Sequence, residues 1–172
     1  MSLIQGMQIR DERNDDADAI RRITAAAFAT ALHSSGIEPR IVDALRNAGA
    51  LTISLVAIAD DGDVVGHVAF SPVRINGEAS RWYGLGPVSV VPEKQRQGIG
   101  RALIREGLAR LAAFDADGCV VLGDPGYYGR FGFVSDPALT HDGKPSPYFQ
   151  RLALDGDPPP GDVSYHAAFD VA

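Results

Sequence analysis

Residues 88–100 read Val-Ser-Val-Val-Pro-Glu-Lys-Gln-Arg-Gln-Gly-Ile-Gly, and a helical pattern begins directly behind them. An apolar strand thus runs into a Q-x-x-G-x-G turn (Gln95, Gly98, Gly100), and the turn opens a helix. That order suits a pyrophosphate. Glycines let the backbone come close to an anion, and the first turn of a helix carries unpaired N–H groups and a partial positive charge. Context argues against two familiar phosphate-binding turns. A Walker A loop needs Lys-Ser/Thr after its last glycine, whereas Gly100 is followed by Arg101 and Ala102. A dinucleotide-binding Rossmann unit places G-x-G-x-x-G near the first strand of alternating βαβ units. Here the turn follows the fourth predicted strand, and its first anchor is Gln95. Judged on Gly98 and Gly100 alone, an ordinary strand-to-helix turn with packing glycines stays open.

The elements that must position this turn can be read along the chain. Met7 to Arg10 predicts a short strand, and Asn14, Asp15 and Asp16 offer capping side chains to a helix through Ile20, Ile23 and Phe28. A loop at His33-Ser34-Ser35-Gly36 leads to a second helix, Glu38 to Asn47, closed by Gly49. Leu51 to Ala59 is apolar and β-branched, and Asp60-Asp61-Gly62-Asp63 turns it back into Val64 to Ile75. Asn76-Gly77 is the strongest hairpin signal in the chain and predicts a fourth strand ending at Val91. Behind the turn, Leu103, Ile104, Leu108 and Leu111 form an apolar stripe, with Arg101, Arg105, Glu106 and Arg110 off it. Val120 to Leu122 predicts a short buried strand, parallel to the fourth through a right-handed crossover. A short helix over Gly126 to Phe131 follows. Tyr148 to Leu154 and Val163 to Phe169 predict two last strands around the Pro158-Pro159-Pro160 loop.

These elements make one mixed α/β domain over residues 1–172, a length that supports a real core. Residues 1–6, ahead of Met7, are set apart as a tag-derived or disordered stretch. Hydrophobic residues at 45% and charged residues at 22% match an ordinary globular protein. No apolar run reaches the roughly 20 residues of a membrane span, so no membrane association is expected. The net charge is −6 with no basic stripe, which disfavours nucleic acid. Cys119 is the sole cysteine, so no internal disulfide can form and a reducing cytoplasm is the expected setting. His, Cys and carboxylates show no metal-ligand spacing, and no metal is expected.

Two segments together carry a resemblance. Val88-Ser89-Val90-Val91-Pro92-Glu93, then Gln95-x-x-Gly98-Ile99-Gly100 and Ala102-Leu103-Ile104, is similar to the acetyl-CoA motif of the GNAT superfamily of N-acetyltransferases. Tyr127-Tyr128-Gly129-Arg130-Phe131-Gly132-Phe133 resembles that family's aromatic-Tyr-x-x-x-Gly-Phe segment, after the matching strand. The element order agrees over most of the chain. The resemblance implies a central, mostly antiparallel sheet of six to seven strands, splayed between strands four and five and flanked by about four helices. It implies acetyl-CoA as acyl donor. The backbone at Val88 and Val90 would pair with the pantetheine arm as an added strand does. The amides of Gln95, Arg96, Gln97, Gly98, Ile99 and Gly100, with Arg101 beside them, would receive the pyrophosphate. Arg96 or Arg101 would meet the nucleotide's 3′-phosphate, or remain a solvated surface charge.

The implied reaction is direct attack of a primary amine, from a small molecule or a peptide, on the thioester carbonyl. A backbone N–H near Val90 would polarise that carbonyl. Tyr128 aligns with the family tyrosine near the sulfur, and a phenol of pKa near 10 suits a proton donor to the leaving thiolate. Tyr127 fits core or cofactor packing. Many relatives carry a glutamate on the fourth strand, but Ser80 to Val91 holds no carboxylate. His67 on the third strand is a candidate base because imidazole titrates near neutrality, and alternation sets it on the face of Val65, Ala69 and Ser71. A satisfied structural histidine is the competing reading, and a water chain to bulk solvent is a further alternative as base. His33 and Glu38 fall where the family's substrate-facing first loop would be, and capping or solvation of the second helix explains them equally. Cys119, before an apolar strand, reads as buried and inert. Gly123-Asp124-Pro125 departs from the asparagine-containing loop of many relatives, which puts cofactor contacts there in doubt. The missing strand-four carboxylate leaves a second function open: a catalytically silent acyl-CoA-binding sensor or partner module. Members of the family are often dimers, so a homodimer is admitted, though no interface is readable in the linear chain.

Overall fold

A computed structural model describes residues 6–29 and 36–171, so His33 lies outside the described residues. The chain divides into two compact units, and strands β3 (Val64–Ile75) and β4 (Glu78–Val90) run through both. The first unit comprises residues up to Phe70, Gly86–Gly107 and the chain from Ala167 onward. The second comprises Ser71–Leu85 and Leu108–His166.

In the first unit, β1 (Gln8–Asp11) pairs antiparallel with β2 (Ile53–Ile58), and β2 pairs antiparallel with the start of β3. Val56, Val68, Ala69 and Phe70 are fully enclosed, as β-branched and apolar residues on a sheet covered on both faces should be. Helices α1 (Ala17–Phe28) and α2 (Glu38–Asn47) cover one face through Ile20, Val42 and Val56. Helix α3 (Ile99–Ala113) covers the other. Its start rests on β3 at Gly66, where an added Cβ would lie 3.0 Å from both Ile99 and Leu103. Farther along, Gly107 admits the Phe70 ring, which any side chain there would strike. Two glycines, one per element, therefore seat the helix that begins at the anion turn.

In the second unit, β4 pairs in parallel with β5 (Gly118–Leu122), Trp82 to Gly84 standing opposite Gly118 to Val120. β5 pairs antiparallel with β7 (Phe149–Ala153) along its full length. β8 (Gly161–Ser164) pairs with β3 at Arg74 and Ile75 and in parallel with β6 (Leu139–His141). Val73, Trp82, Val120, Phe149 and Val163 belong to its apolar core. Helix α4 (Pro125–Tyr128) continues into a 3-10 turn, Gly129–Phe131.

Among the described residues the architecture is mixed α/β: an open, mostly antiparallel sheet with β4 and β5 parallel, and four α-helices. Asn76 and Gly77 both take positive φ, +53° and +77°, as the hairpin signal requires. Three details differ from expectation. Among the described residues the sheet has eight strands, because the three-residue β6 carries no apolar alternation and left no mark in the sequence. The last strand stops at Ser164, and Ala167–Asp170 forms a 3-10 turn instead. Ala168 and Phe169, adjacent in sequence, both pack on the Ile41 and Leu45 face of α2, which an alternating strand cannot arrange. Finally, Asn14, Asp15 and Asp16 do not cap α1. They form their own 3-10 turn, and the Asp16 carboxylate accepts the Arg13 N–H at 2.7 Å while Arg10 holds it at 2.7 Å.

Candidate active site

The anion turn follows from β4 by a short 3-10 segment, Pro92–Lys94. The Gln95 side chain donates back to the Val90 carbonyl at 3.0 Å and its own N–H donates to the Pro92 carbonyl at 3.3 Å, so this residue ties the turn to the strand end and the open amides begin after it. Arg96 and Gly98 take positive φ, +67° and +87°, which curls the intervening backbone. The N–H of Ala102 donates to Gly98 at 3.0 Å and starts the helical ladder, leaving the preceding amides as the open first turn of a 15-residue helix. A Cβ built on Gly98 would touch only Arg101, at 3.9 Å, so the space an anion would enter stands open in front of the backbone. The Arg96 and Arg101 side chains are exposed at the same end. Open first-turn amides with two exposed guanidinium groups at the same helix start suit an anion.

The strand before the turn presents its backbone suitably. Val91 N–H donates to the Val65 carbonyl at 2.9 Å. Successive residues of a strand direct their amides to opposite edges, so Val88 and Val90 direct theirs away from β3. That edge is where an extended amide-rich arm could pair.

His67 lies on β3 in the first unit and is fully enclosed, at 0% exposure. Its Nε2 is 2.8 Å from the Ser54 hydroxyl, which donates to Glu12 at 2.6 Å. Glu12 in turn receives a fork from Arg46, at 2.7 and 2.9 Å. Burial raises the Glu12 carboxyl, but hydrogen bonds from Arg46 and Ser54 outweigh it and hold the pKa below the ordinary value. Burial pushes the imidazole down to about 4, against the opposing attraction of Glu12, so His67 is neutral at physiological pH. Glu12, Ser54 and Arg46 gave no sequence signal, since they stand on β1's end, β2 and α2. Glu38, at the start of α2, is half-buried.

Tyr128 belongs to the second unit and ends α4. Asp124 caps that helix by accepting the Gly126 N–H at 3.0 Å, which gives the departure at Gly123-Asp124-Pro125 a structural purpose. Gly123 lets the Tyr128 ring lie against the backbone, where any Cβ would collide with it. The ring meets Tyr127 edge-on at 5.0 Å and Phe133 at 6.0 Å. Burial, with Tyr127 and Cys119 nearby, raises the phenol above its ordinary pKa and keeps it protonated, a standing hydrogen-bond donor. Cys119 is fully buried, and that burial raises its thiol far above the range in which thiolate forms. Among the described residues no cluster of His, Cys, Asp and Glu could hold a metal, and no helix is long and apolar enough to cross a membrane.

The comparisons agree with this geometry. The family model described as an acetyltransferase (GNAT) domain matches residues 8–135. The N-acetyltransferase YhbS of Escherichia coli is 42% identical over 136 residues, 79% of this chain and 77% of that protein. A GNAT family acetyltransferase from Brucella melitensis, solved in complex with acetyl-CoA, is 57% identical with a TM-score of 0.85, covering 95% of this chain and 98% of that one. YhbS from E. coli, solved in complex with CoA, is 35% identical with a TM-score of 0.86, covering 99% and 96%. The chain belongs to the GNAT family of acetyltransferases.

Proposed function

We propose that this N-acetyltransferase moves an acetyl group from acetyl-CoA directly to a primary amine of a small molecule or peptide. The observation that carries the reading is the Gln95–Arg101 turn, whose positive-φ Gly98 leaves an open cradle at the start of α3. Relatives solved with acetyl-CoA and with CoA, at 57% and 35% identity, support the same ligand here. When bound, the donor supplies an activated thioester carbonyl.

The chain's own groups then have separate tasks. The Arg96–Gly100 amides and Arg101 hold the pyrophosphate, with the Gln95 side chain fixing the turn to the strand end, and the outward edge at Val88 and Val90 aligns the pantetheine arm. The Val90 N–H donates to the carbonyl oxygen as negative charge develops there. Tyr128, protonated, donates to the departing thiolate. His67 is enclosed and neutral, so as a base it works through an intervening group and does not touch the amine. The family match over residues 8–135 takes in parts of both units, which supports reading the chain as a single domain. The sole cysteine, buried and protonated, is consistent with work in a reducing cytoplasm.

Calorimetry with acetyl-CoA, followed by a thiol-release assay over alkyl amines, lysine peptides and aminoglycosides, tests the reading. Tight binding and release with at least one class are expected. Binding without release across the whole panel would overturn it in favour of a silent acyl-CoA-binding module.

A further inference from the structure

The enclosed network around His67 has a direction. Glu12 is ionised, because its pKa is held below the ordinary carboxylate value, and an ionised carboxylate only accepts hydrogen bonds. The single Ser54 hydroxyl proton must therefore point at Glu12, 2.6 Å away. Ser54 is then an acceptor toward His67, and its 2.8 Å partner Nε2 must carry the imidazole proton. Neutral His67 has one ring proton. Its Nδ1 is consequently a bare lone pair, and among the described residues it is buried without a hydrogen-bond partner.

A second orphan stands on the neighbouring strand. The Val91 N–H donates to Val65 at 2.9 Å, which sets these two residues opposite each other in the β3–β4 ladder. Two residues along each strand, Ser89 stands opposite His67, and opposed residues share a face with Cβ atoms about 5 Å apart. Ser89 is 2% exposed, and its Oγ also has no partner among the described residues. Buried polar atoms of this kind are ordinarily satisfied by an ordered water, and a water needs two or more such partners.

We propose that one water bridges His67 Nδ1 and Ser89 Oγ, and that this water is the proton-accepting end of the acetyl-transfer site. The proposal rests on the N-acetyltransferase reading above. Because Nδ1 can only accept, the water donates a hydrogen to it and keeps a lone pair for another donor. Ser89 sits between Val88 and Val90, the segment assigned to the donor, so that lone pair lies beside the point of amine attack. In the step itself, an N–H bond of the acceptor's ammonium breaks and its proton passes to the water oxygen. The water's own proton passes to Nδ1. The amine keeps the electron pair and uses it to attack. The imidazolium faces Glu12 through Ser54, with Arg46 and Asp16 as the other charged groups near it; because burial opposes its charge it is a transient species that returns the proton by the same water as soon as the amine has attacked. His67 and Ser89 are positioning residues, acting on the amine through the water.

The test combines 15N spectra of histidine-labelled protein with kinetics of His67→Gln and Ser89→Ala. The glutamine amide keeps a donor for Ser54 and removes the basic Nδ1; it also assigns the His67 signal. Ser89→Ala is the milder change and guards against misfolding in the first. The Nε2-protonated tautomer is expected in the unmodified protein. Both variants are expected to lose at least about tenfold in kcat with acetyl-CoA affinity unchanged. The deficit shrinks as pH rises toward the amine pKa, because the acceptor then arrives deprotonated; a structural role would not produce that recovery. An Nδ1-protonated tautomer, an unchanged kcat or a deficit flat with pH overturns the relay alone. Absence of thiol release by the unmodified protein overturns the transferase reading and the relay with it.

Discussion

Acidification should weaken the fold before the hydrogen-bonded carboxylates Glu12 and Asp16 protonate, and His67 is the reason. Its pKa is about 4 in the folded chain against 6.5 for an ordinary histidine. Below pH 6.5 the unfolded chain binds a proton that the folded chain refuses, so stability falls as pH drops from 6.5 to 4. At about 1.4 kcal/mol per pH unit, the full displacement amounts to about 3 kcal/mol, most of which is lost by about pH 4.5. Side chains at 0% exposure suffer little solvent screening, so the conversion is apt here. Glu12 and Asp16 act lower. Their folded pKa values lie below 4.5 and 3.8, so the stability they contribute is present above those values and disappears only as pH falls through the folded ones. Urea unfolding of the unmodified protein and of His67→Gln, at about pH 7 and about pH 4.5, isolates the histidine. The stability gap between the two proteins should shrink by about 2–3 kcal/mol at the lower pH. A gap that stays constant would refute the assignment of a buried, neutral imidazole.

Gly98→Val should abolish measurable acetyl-CoA binding in calorimetry while the far-UV spectrum is kept. A β-branched residue at φ +87° adds about 1–3 kcal/mol of strain and fills the cradle. Tyr128→Phe should lower kcat by about 10- to 100-fold, with the acetyl-CoA dissociation constant within about twofold, since it removes a proton donor and keeps the ring. Gly107→Ala should cost about 1–3 kcal/mol in urea melts, because the new methyl strikes Phe70 where α3 lies on β3.

Much of the fold was legible because its signals are local. Asn76-Gly77 fixes a hairpin by its own dihedral preferences, and the predicted bounds Glu38 to Asn47 and Val64 to Ile75 agree with α2 and β3. The errors came where a distant partner decides the conformation. Ala168 and Phe169 have strand-like neighbours, yet the α2 face draws both to one side. Asp16 has the composition of a helix cap, but Arg10 claims its carboxylate from the preceding strand. β6 exists because Asp162 holds it from outside, accepting from Thr140 and Gly143 at 2.7 Å each. Nothing in Leu139–His141 announces that.

The same distinction separates the two halves of the proposed chemistry. Donor binding uses backbone amides at the start of one helix, so a contiguous stretch from Val88 to Arg101 contains the whole signal, and glycine spacing reveals it. Proton handling has no such stretch. Ser54 and Glu12 are 42 positions apart, and Arg46 reaches Glu12 from 34 positions away. None of these residues is unusual in its own segment; Ser54 reads as a polar interruption of an apolar strand. What gives them a role is the order of donors and acceptors once folding has removed water. One carboxylate that can only accept orients a hydroxyl, the hydroxyl fixes a tautomer, and the tautomer leaves a buried lone pair for the proposed water. Sequence reasoning could place His67 on the correct face of its strand by alternation alone. Which of its nitrogens is basic, and what that nitrogen faces, is a property of the enclosed network, and that is where a base for this acetyltransferase should be sought in the absence of a carboxylate on β4.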